Sequence, residues 1–421
     1  MKVLVIGSGG REHAIIDALA QVADGRKIYA APGNGGMHEQ AELVPIPPDD
    51  VWALLDFART QSIDLTFVGP EIPLSKGVVD MFRQVGLAIV GPTAGQARLE
   101  SSKSFAKQFF KANKIPTADF WECTTPTEAH LVLDGSNYPI VIKADGLAAG
   151  KGVVIAEDRK QAHTVVQEFM ESKVLGEAGS KLVIEQFLQG EEASFHVFAD
   201  GTAFQPMVAA QDHKRRFDND EGPNTGGMGA YSTDTILSSV QYEAVLNHII
   251  RPTLQAAASY SGILYAGLML TADGPKLLEY NARFGDPETQ VILSRLKTDL
   301  LAVLVDIAEH RLGSCVLEWR EEAAATVVLV TRDYPGKAET GKRIFGLDEA
   351  KRIEGVKVYH AGTRWEDGNI YTAGGRVLNV TARGATLAEA LDRAYFVAQM
   401  IEFDGKDYRK DIGRKGLSQR K

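Results

Sequence analysis

The sequence predicts a multidomain chain of mixed α/β and α+β class, opening on a doubly wound parallel sheet and closing on a small α+β unit. Three observations predict it. At 421 residues, domains of ~150 residues would number roughly three. The first hundred residues alternate apolar strand runs with helical patterns. Beyond residue 138 the chain turns strand-rich, and from about 324 strands combine with a single final helix.

Residues 3–6, Val-Leu-Val-Ile, form an uninterrupted apolar run, which suits a strand covered on both faces. A helical pattern over 12–22, a strand over 27–30 and a helix over 51–60 follow. Runs at 65–68 and 87–90 are further strands, each stopped by Gly-Pro (Gly69-Pro70, Gly91-Pro92). Repeated βα units place ligands at the loops beyond the strand C-termini. A helix over 103–112 stops before Pro116. Strands are expected at 139–142, 152–156, 181–185 and 193–198, with a helix over 160–171 among them. Residues 212–229, dominated by glycine and polar side chains, are expected to be a loop, and one of that size is functional or disordered. Helical patterns occupy 239–258 and 288–311. The last part offers a strand over 326–331, a hairpin at Asp367-Gly368, a strand over 376–381, and Thr386 with Glu389 as a capping box for a helix to about Met400. The basic tail, 409–421, is expected to fray. The chain shows no internal repeats and no low-complexity tract.

Composition excludes several classes. Hydrophobic content of 44% and charged content of 24% are those of an ordinary globular protein. A net charge of −9 leaves no basic excess to neutralise a phosphate backbone, so no nucleic-acid partner is expected. Cys123 and Cys315, the only cysteines, lie too far apart in sequence for a CxxC motif. The apolar run at 3–6 is too short for a signal peptide and nothing approaches a ~20-residue membrane span, so the expected location is cytoplasmic, without a membrane partner.

Gly7-Ser8-Gly9-Gly10-Arg11-Glu12 follows the first strand where a dinucleotide fingerprint would stand. Glu12 occupies the place of a required glycine, and Ala30-Ala31 that of a required acid. That disfavours a nicotinamide-dependent dehydrogenase. What survives is a set of backbone N–H groups at a helix N-terminus beside Arg11, suited to one phosphate; a plain tight turn is the alternative. A cation in the first helical turn opposes the macrodipole by ~0.3–1 kcal/mol unless an anion is present. Gly9, Gly10 and Arg11 are therefore candidates for a substrate phosphate. Lys103 repeats the anomaly.

A second glycine loop, Lys143 to Gly152, joins two strands and departs from a Walker A motif in spacing, in lacking Ser/Thr, and in leading into a strand. Such a small-residue loop can close over a triphosphate with its N–H groups inward. Lys143 ends an Ile-Val-Ile strand, so its ammonium emerges from an apolar wall. A lysine ~4 Å from a phosphate contributes ~4 kcal/mol at an effective dielectric of 20, against at most ~2 kcal/mol from a helix end. A triphosphate site thus needs lysines and a metal as well as glycines. The linker from Glu185 to Glu192 can offer backbone groups to an adenine edge, with Glu192 for ribose hydroxyls; a charged connection between strands is the alternative.

Residues 276–283, Lys-Leu-Leu-Glu-Tyr-Asn-Ala-Arg, form the second arm of a hairpin turning at Asp273-Gly274. Strand alternation places Leu277, Glu279 and Asn281 on one face, and Leu278 and Tyr280 on the other. Glu279 and Asn281 present only oxygen ligands, which suits Mg²⁺, with Mn²⁺ a possible substitute. Arg283 stands within reach of whatever the metal holds. Asp286-Pro287-Glu288 reads as a helix start with Asp286 as N-cap.

Taken together, these motifs resemble the ATP-grasp superfamily, in which two α/β subdomains grip ATP, and more closely the phosphoribosylamine–glycine ligase family. The match is carried by Gly9 to Ala14, Val68-Gly69-Pro70-Glu71, Lys143 to Gly152, Pro223 to Tyr231 and Asn281 to Gln290, in the family's order across the first 290 residues. The resemblance implies an N-terminal Rossmann-like domain (1–101), an ATP-grasp domain (102–323, lid about 121–188) and a C-terminal α+β domain (324–421). By the same resemblance Lys103 and Lys143 contact ATP phosphates, Gly150, Lys151 and Gly152 form the lid, Glu185 and Leu188 frame adenine, and Glu192 holds ribose. Glu279 and Asn281 bind Mg²⁺. Asp286 holds the ammonium of glycine, the alternative to its capping role, while Lys214 and the Thr225-Gly226-Gly227 stretch enclose phosphoribosylamine. Many superfamily members carry a further metal-binding acid on the preceding strand, where this chain has Ala266-Gly267-Leu268-Met269. The implied reaction joins glycine to 5-phosphoribosylamine through glycyl phosphate at the expense of ATP, in purine biosynthesis. A monomer is expected. Another ATP-grasp ligase or carboxylase and a non-catalytic nucleotide-binding module are the rivals, the latter disfavoured by the paired metal ligands.

Overall fold

The computed structural model describes residues 1–22, 25–146 and 152–418. Its N-terminal sheet is parallel, with Lys2–Gly7 in the centre, Lys27–Pro32 and Glu42–Leu43 to one side and Leu65–Val68 and Ile89–Val90 to the other. Val3 and Val5 enter one core cluster, Leu4 and Ile6 another, because helices cover both faces of this strand. The expected helix begins earlier, at Gly10–Ala20.

An antiparallel sheet ordered Phe120–Cys123, Leu182–Gln186, Ile140–Ala144, Val153–Ala156 packs against the helices Pro126–Asp134 and Arg159–Val166 around its own core. A third sheet runs Phe204–Pro206, Glu191–Asp200, Ser261–Thr271, Gly274–Asn281. The fourth is built on Ala323–Thr331 and Arg376–Gly384, with Val356–His360 beyond, and it extends through Gly229–Ser232 to Gln211–Asp212. Two of its strands therefore come from the middle of the chain.

Several expectations give way here. Residues 212–229 are not a structureless loop, since Arg215–Phe217 pairs with Glu221–Asn224. Asn219 and Asp220, at φ 61 and 56, turn the chain between them, and short polar side chains tolerate that region. The helical stretch 288–311 breaks into Glu288–Arg295 and Leu300–Ala308, the second capped by Asp299, which accepts from Leu301 N at 3.2 Å. The basic tail does not fray through 418. Arg409 is buried, its guanidinium held by Asp411 at 2.8 Å and Asp220 at 2.9 Å, and Arg414–Ser418 is helical. No described helix is long and apolar enough to cross a membrane.

Candidate active site

A crevice opens where the first, second and third sheets meet, lined among others by Glu100, Lys103, Lys107, Gly152, Glu185, Glu279, Asn281 and Arg283. Glu279 and Asn281 share it by plain alternation, since Glu279, Tyr280 and Asn281 pair in unbroken register with Gly267, Ala266 and Tyr265, but the alternation does not extend back to Leu277. A bulge opposite Gly267/Leu268 leaves Leu278 as the extra residue of the ladder. Leu277 consequently joins Tyr280 in the core instead of sharing a face with Glu279, while Leu278 lines the crevice. Burial pushes the Glu279 carboxyl upward, yet the charges of Lys143, Lys214 and Lys103 outweigh it and hold the group below its ordinary value. Asn281 Oδ1 accepts from Arg283 Nη2 at 3.1 Å.

The lysines form a denser arrangement than the sequence suggests. Glu185 is buried between Lys143, 2.8 Å from Oε1, and Lys107, 2.8 Å from Oε2. Burial lowers Lys107 to about 8 against the pull of Glu185. Lys143, equally buried, is raised because Glu185 and Glu279 together overcome desolvation. Glu185 Oε1 has an ion contact but no aligned hydrogen bond among the described residues. Lys103 Nζ lies 3.5 Å from Gly146 O, and burial lowers its pKa. Its helix end already has an anion: Asp145 accepts from Ser104 N at 2.6 Å and from Ser102 Oγ at 3.2 Å. Gly152 O accepts from Ala144 N at 2.8 Å, closing the hairpin base. Gly150 and Lys151 lie outside the described residues. Leu188 is buried in the turn beyond Leu182–Gln186.

Arg283 is anchored by Glu100 at 2.8 Å and Glu71 at 3.4 Å, and donates to Phe284 O at 3.0 Å. Burial raises Glu100, despite Arg283. Glu100 also accepts from Ala282 N at 2.8 Å, so the helix Ala94–Ser101 fixes the exit of the strand Gly274–Asn281.

At the N-terminal glycine loop, the macrodipole argument for an external anion is met from within. Glu12 Oε1 lies 2.5 Å from Arg11 Nε, and Oε2 accepts from Gly9 N at 2.6 Å. A Cβ at Gly69 would stand 2.1 Å from Glu12 Oε1, so that glycine makes room for the carboxylate. The neighbouring Asp286 is not an N-cap, since the cap position of Glu288–Arg295 falls on Pro287. Its carboxylate instead accepts from Gln290 Nε2 at 2.8 Å and pairs with Arg376 at 3.2 Å. Burial raises Asp286, but Arg376 and Arg11 prevail and its pKa is lowered. A Cβ on Gly10 would meet Asn379 Nδ2 at 2.2 Å, so the loop is pressed against the C-terminal sheet.

Lys214 and Glu192 are paired to each other at 2.5 Å, both more than a third exposed. Such a solvated pair contributes at most ~1 kcal/mol and can open for a ligand. Beside them, burial with Glu288 and Glu192 raises Asp212 from 3.8 to about 7, against Lys214. Folding thus favours the neutral acid, a contribution complete below pH 3.8 and lost as pH rises through about 7. Asp212→Asn should therefore outlast the wild type in urea at pH 8 and match it at acidic pH. A midpoint difference independent of pH would refute this.

Sequence reasoning missed Lys107, Glu100, Asp212 and Arg376. Lys107 carried a signal, being one turn along the helix from Lys103. The others reach the site only through tertiary packing.

Three family models match in order: phosphoribosylglycinamide synthetase N domain over residues 1–100, its ATP-grasp (A) domain over 101–289 and its C domain over 324–415. The phosphoribosylamine–glycine ligase of Halalkalibacterium halodurans is 48% identical over 424 residues, covering 100% of this chain and 98% of that protein. That of Escherichia coli K12 is also 48% identical, with 99% of each covered. Among solved structures, phosphoribosylamine–glycine ligase from Thermotoga maritima superposes with a TM-score of 0.83 at 33% identity, covering 98% of this chain and 100% of that one. The biotin carboxylase domain of Hydrogenobacter thermophilus 2-oxoglutarate carboxylase, at 16% identity, TM-score 0.74 and coverage of 96% and 91%, shares the fold. A glycine loop, a lysine-lined crevice and an oxygen-bearing strand in this order, matched along the whole length, place the chain in the phosphoribosylamine–glycine ligase family of ATP-grasp ligases.

Proposed function

We propose that the crevice couples ATP cleavage to amide formation between glycine and 5-phosphoribosylamine. The observation that carries this reading is Glu279, kept ionised by converging lysines beside Asn281. A glycine carboxylate oxygen attacks the γ-phosphorus of ATP and ADP departs. The amine of phosphoribosylamine then attacks the acyl carbon of glycyl phosphate. Phosphate leaves, the nitrogen loses a proton, and glycinamide ribonucleotide results. Activation is required because oxide is a poor leaving group.

The donor set fits a hard divalent cation that retains water and phosphate ligands: Glu279 and Asn281 offer oxygen, and no group of three His, Cys, Asp or Glu that could hold a metal occurs among the described residues. When bound there, Mg²⁺ or Mn²⁺ neutralises charge on the transferring phosphoryl group. The protein's own work is positioning and charge. Lys143 has three donors and spends only part of them on Glu185, leaving the rest for phosphate together with Lys103. Glu185 Oε1, which has an ion contact with Lys143 but no aligned hydrogen bond among the described residues, suits the amino group of adenine, with Leu188 as an apolar wall and Glu192 for ribose. Gly150, Lys151 and Gly152 would cover the phosphates and exclude water from glycyl phosphate. Arg283 and Lys214 flank the reacting groups, Asp286 takes the glycine ammonium, and Gly9, Gly10 and Arg11 take the phosphate of the amine substrate. In this reading the chain divides at 101/102 and 323/324 and works as a cytoplasmic monomer on small molecules, without nucleic acid or membrane.

ADP release measured with glycine and phosphoribosylamine, each omitted in turn, tests the assignment: turnover should need both, and turnover with either alone would reject it. Arg11→Ala should raise the apparent KM for phosphoribosylamine at least tenfold, the equivalent of about 1.4 kcal/mol of lost charge-assisted bonding. An unchanged KM would move the phosphate elsewhere.

A further inference from the structure

A second cavity, ≈ 210 Å³, lies apart from the crevice where the helix Gly10–Ala20, the end of the helix Glu288–Arg295 and the C-terminal sheet converge. One water needs only ~10–15 Å³ of such space, so a polyatomic ligand has room. Its charged lining is unbalanced. Asp17 is its single carboxylate among the described residues, and it is already engaged by Lys357 at 3.1 Å, Gln40 at 2.8 Å and the Tyr359 hydroxyl at 3.4 Å. Arg320 and Arg383 remain, and neither has a carboxylate within ion-pairing distance among the described residues. Arg383 donates to Ser294 O at 2.8 Å. The Arg320 guanidinium donates no hydrogen bond to a described residue, and its Nε is buried without a partner. Buried guanidinium N–H groups are costly to leave unsatisfied, and two planar forks facing one cavity match an oxyanion.

We propose that this cavity is a binding site for a small phosphate-type oxyanion, held by Arg320 and Arg383. Free inorganic phosphate and the phosphate group of a phosphorylated sugar share that chemistry. Bound there, the anion joins the loop carrying Arg320 to the strand Arg376–Gly384, whose other end carries Arg376 to Asp286.

Calorimetric titration of the full chain with inorganic phosphate, and separately with ribose 5-phosphate, distinguishes the two sources. Arg320→Gln and Arg383→Gln should each weaken binding of the preferred probe roughly tenfold, as loss of a charge-assisted bond implies. Arg320→Lys, which keeps the charge but loses the planar fork, should bind more tightly than Arg320→Gln and less tightly than the wild type. Arg11→Ala, at the separate glycine loop, should leave this component intact. Equal binding by Arg320→Gln and the wild type overturns the proposal, as does disappearance of all phosphate binding in Arg11→Ala. Should Arg383→Gln fail to fold because its bond to Ser294 is lost, Arg320→Gln carries the test alone.

Discussion

Glu279→Gln is expected to lower kcat/KM for ligation on the order of 10³-fold, about 4 kcal/mol of transition-state stabilisation. The substitution preserves shape and one oxygen but removes the charge on which Lys143, Lys214, Lys103 and Arg283 converge. Those cations then repel one another without a central anion, and a divalent metal loses its only charged protein ligand of the proposed pair. The purified variant should keep the native circular-dichroism spectrum, melt below the wild type because that anion is gone, and release ADP at a negligible rate with both substrates present. Full turnover would reject the metal assignment.

Glu185→Ala should cost stability more than any other single change proposed, about 3–5 kcal/mol, because it strands two buried ammonium groups. Glu185, Lys107 and Lys143 are all nearly inaccessible to solvent. The pH dependence has a definite sign. Lys107 already sits at about 8 against an ordinary 10.5, so folding disfavours its charged form and stability falls as pH drops from 10.5 through about 8. Without Glu185 this penalty deepens, and the deficit should be larger at pH 7 than at pH 10. Urea denaturation at both values measures it. Curves coincident with the wild type would mean that water reaches the lysines.

The parallel sheet was legible because residues 3–6 and 65–68 are continuous apolar runs, and Val51–Thr60 and Lys103–Ala112 carry clean helical spacing. Glu279 and Asn281 were legible as oxygen donors two apart. Leu277 was misplaced because a bulge is a property of two strands, and one strand's sequence does not record its partner's register. Arg11 and Lys103 were read as cations awaiting a ligand. Glu12, the adjacent residue, and Asp145, 42 positions away, already place a carboxylate at each helix start, which the macrodipole argument from sequence did not take into account. The segment 212–229 hid its strands because polar side chains suit a hairpin open to solvent. Arg376 and Asn379 were invisible because only packing brings the C-terminal sheet to the glycine loop.

The sharing of strands between the middle and the end of the chain has a mechanical corollary. The excursion bearing Lys214 has both its feet, Gln211–Asp212 and Gly229–Ser232, laminated into the sheet of Ala323–Thr331. Glu279 rides on a different ribbon, paired with Ser261–Thr271. The two ribbons are stitched together one residue before that excursion, where Ser194 N donates to Ala210 O at 2.7 Å and Ala210 N to Ser194 O at 3.0 Å. Lys214 and Glu279 are thereby spaced by a splice of two sheets, and any displacement of one layer would drag the other with it.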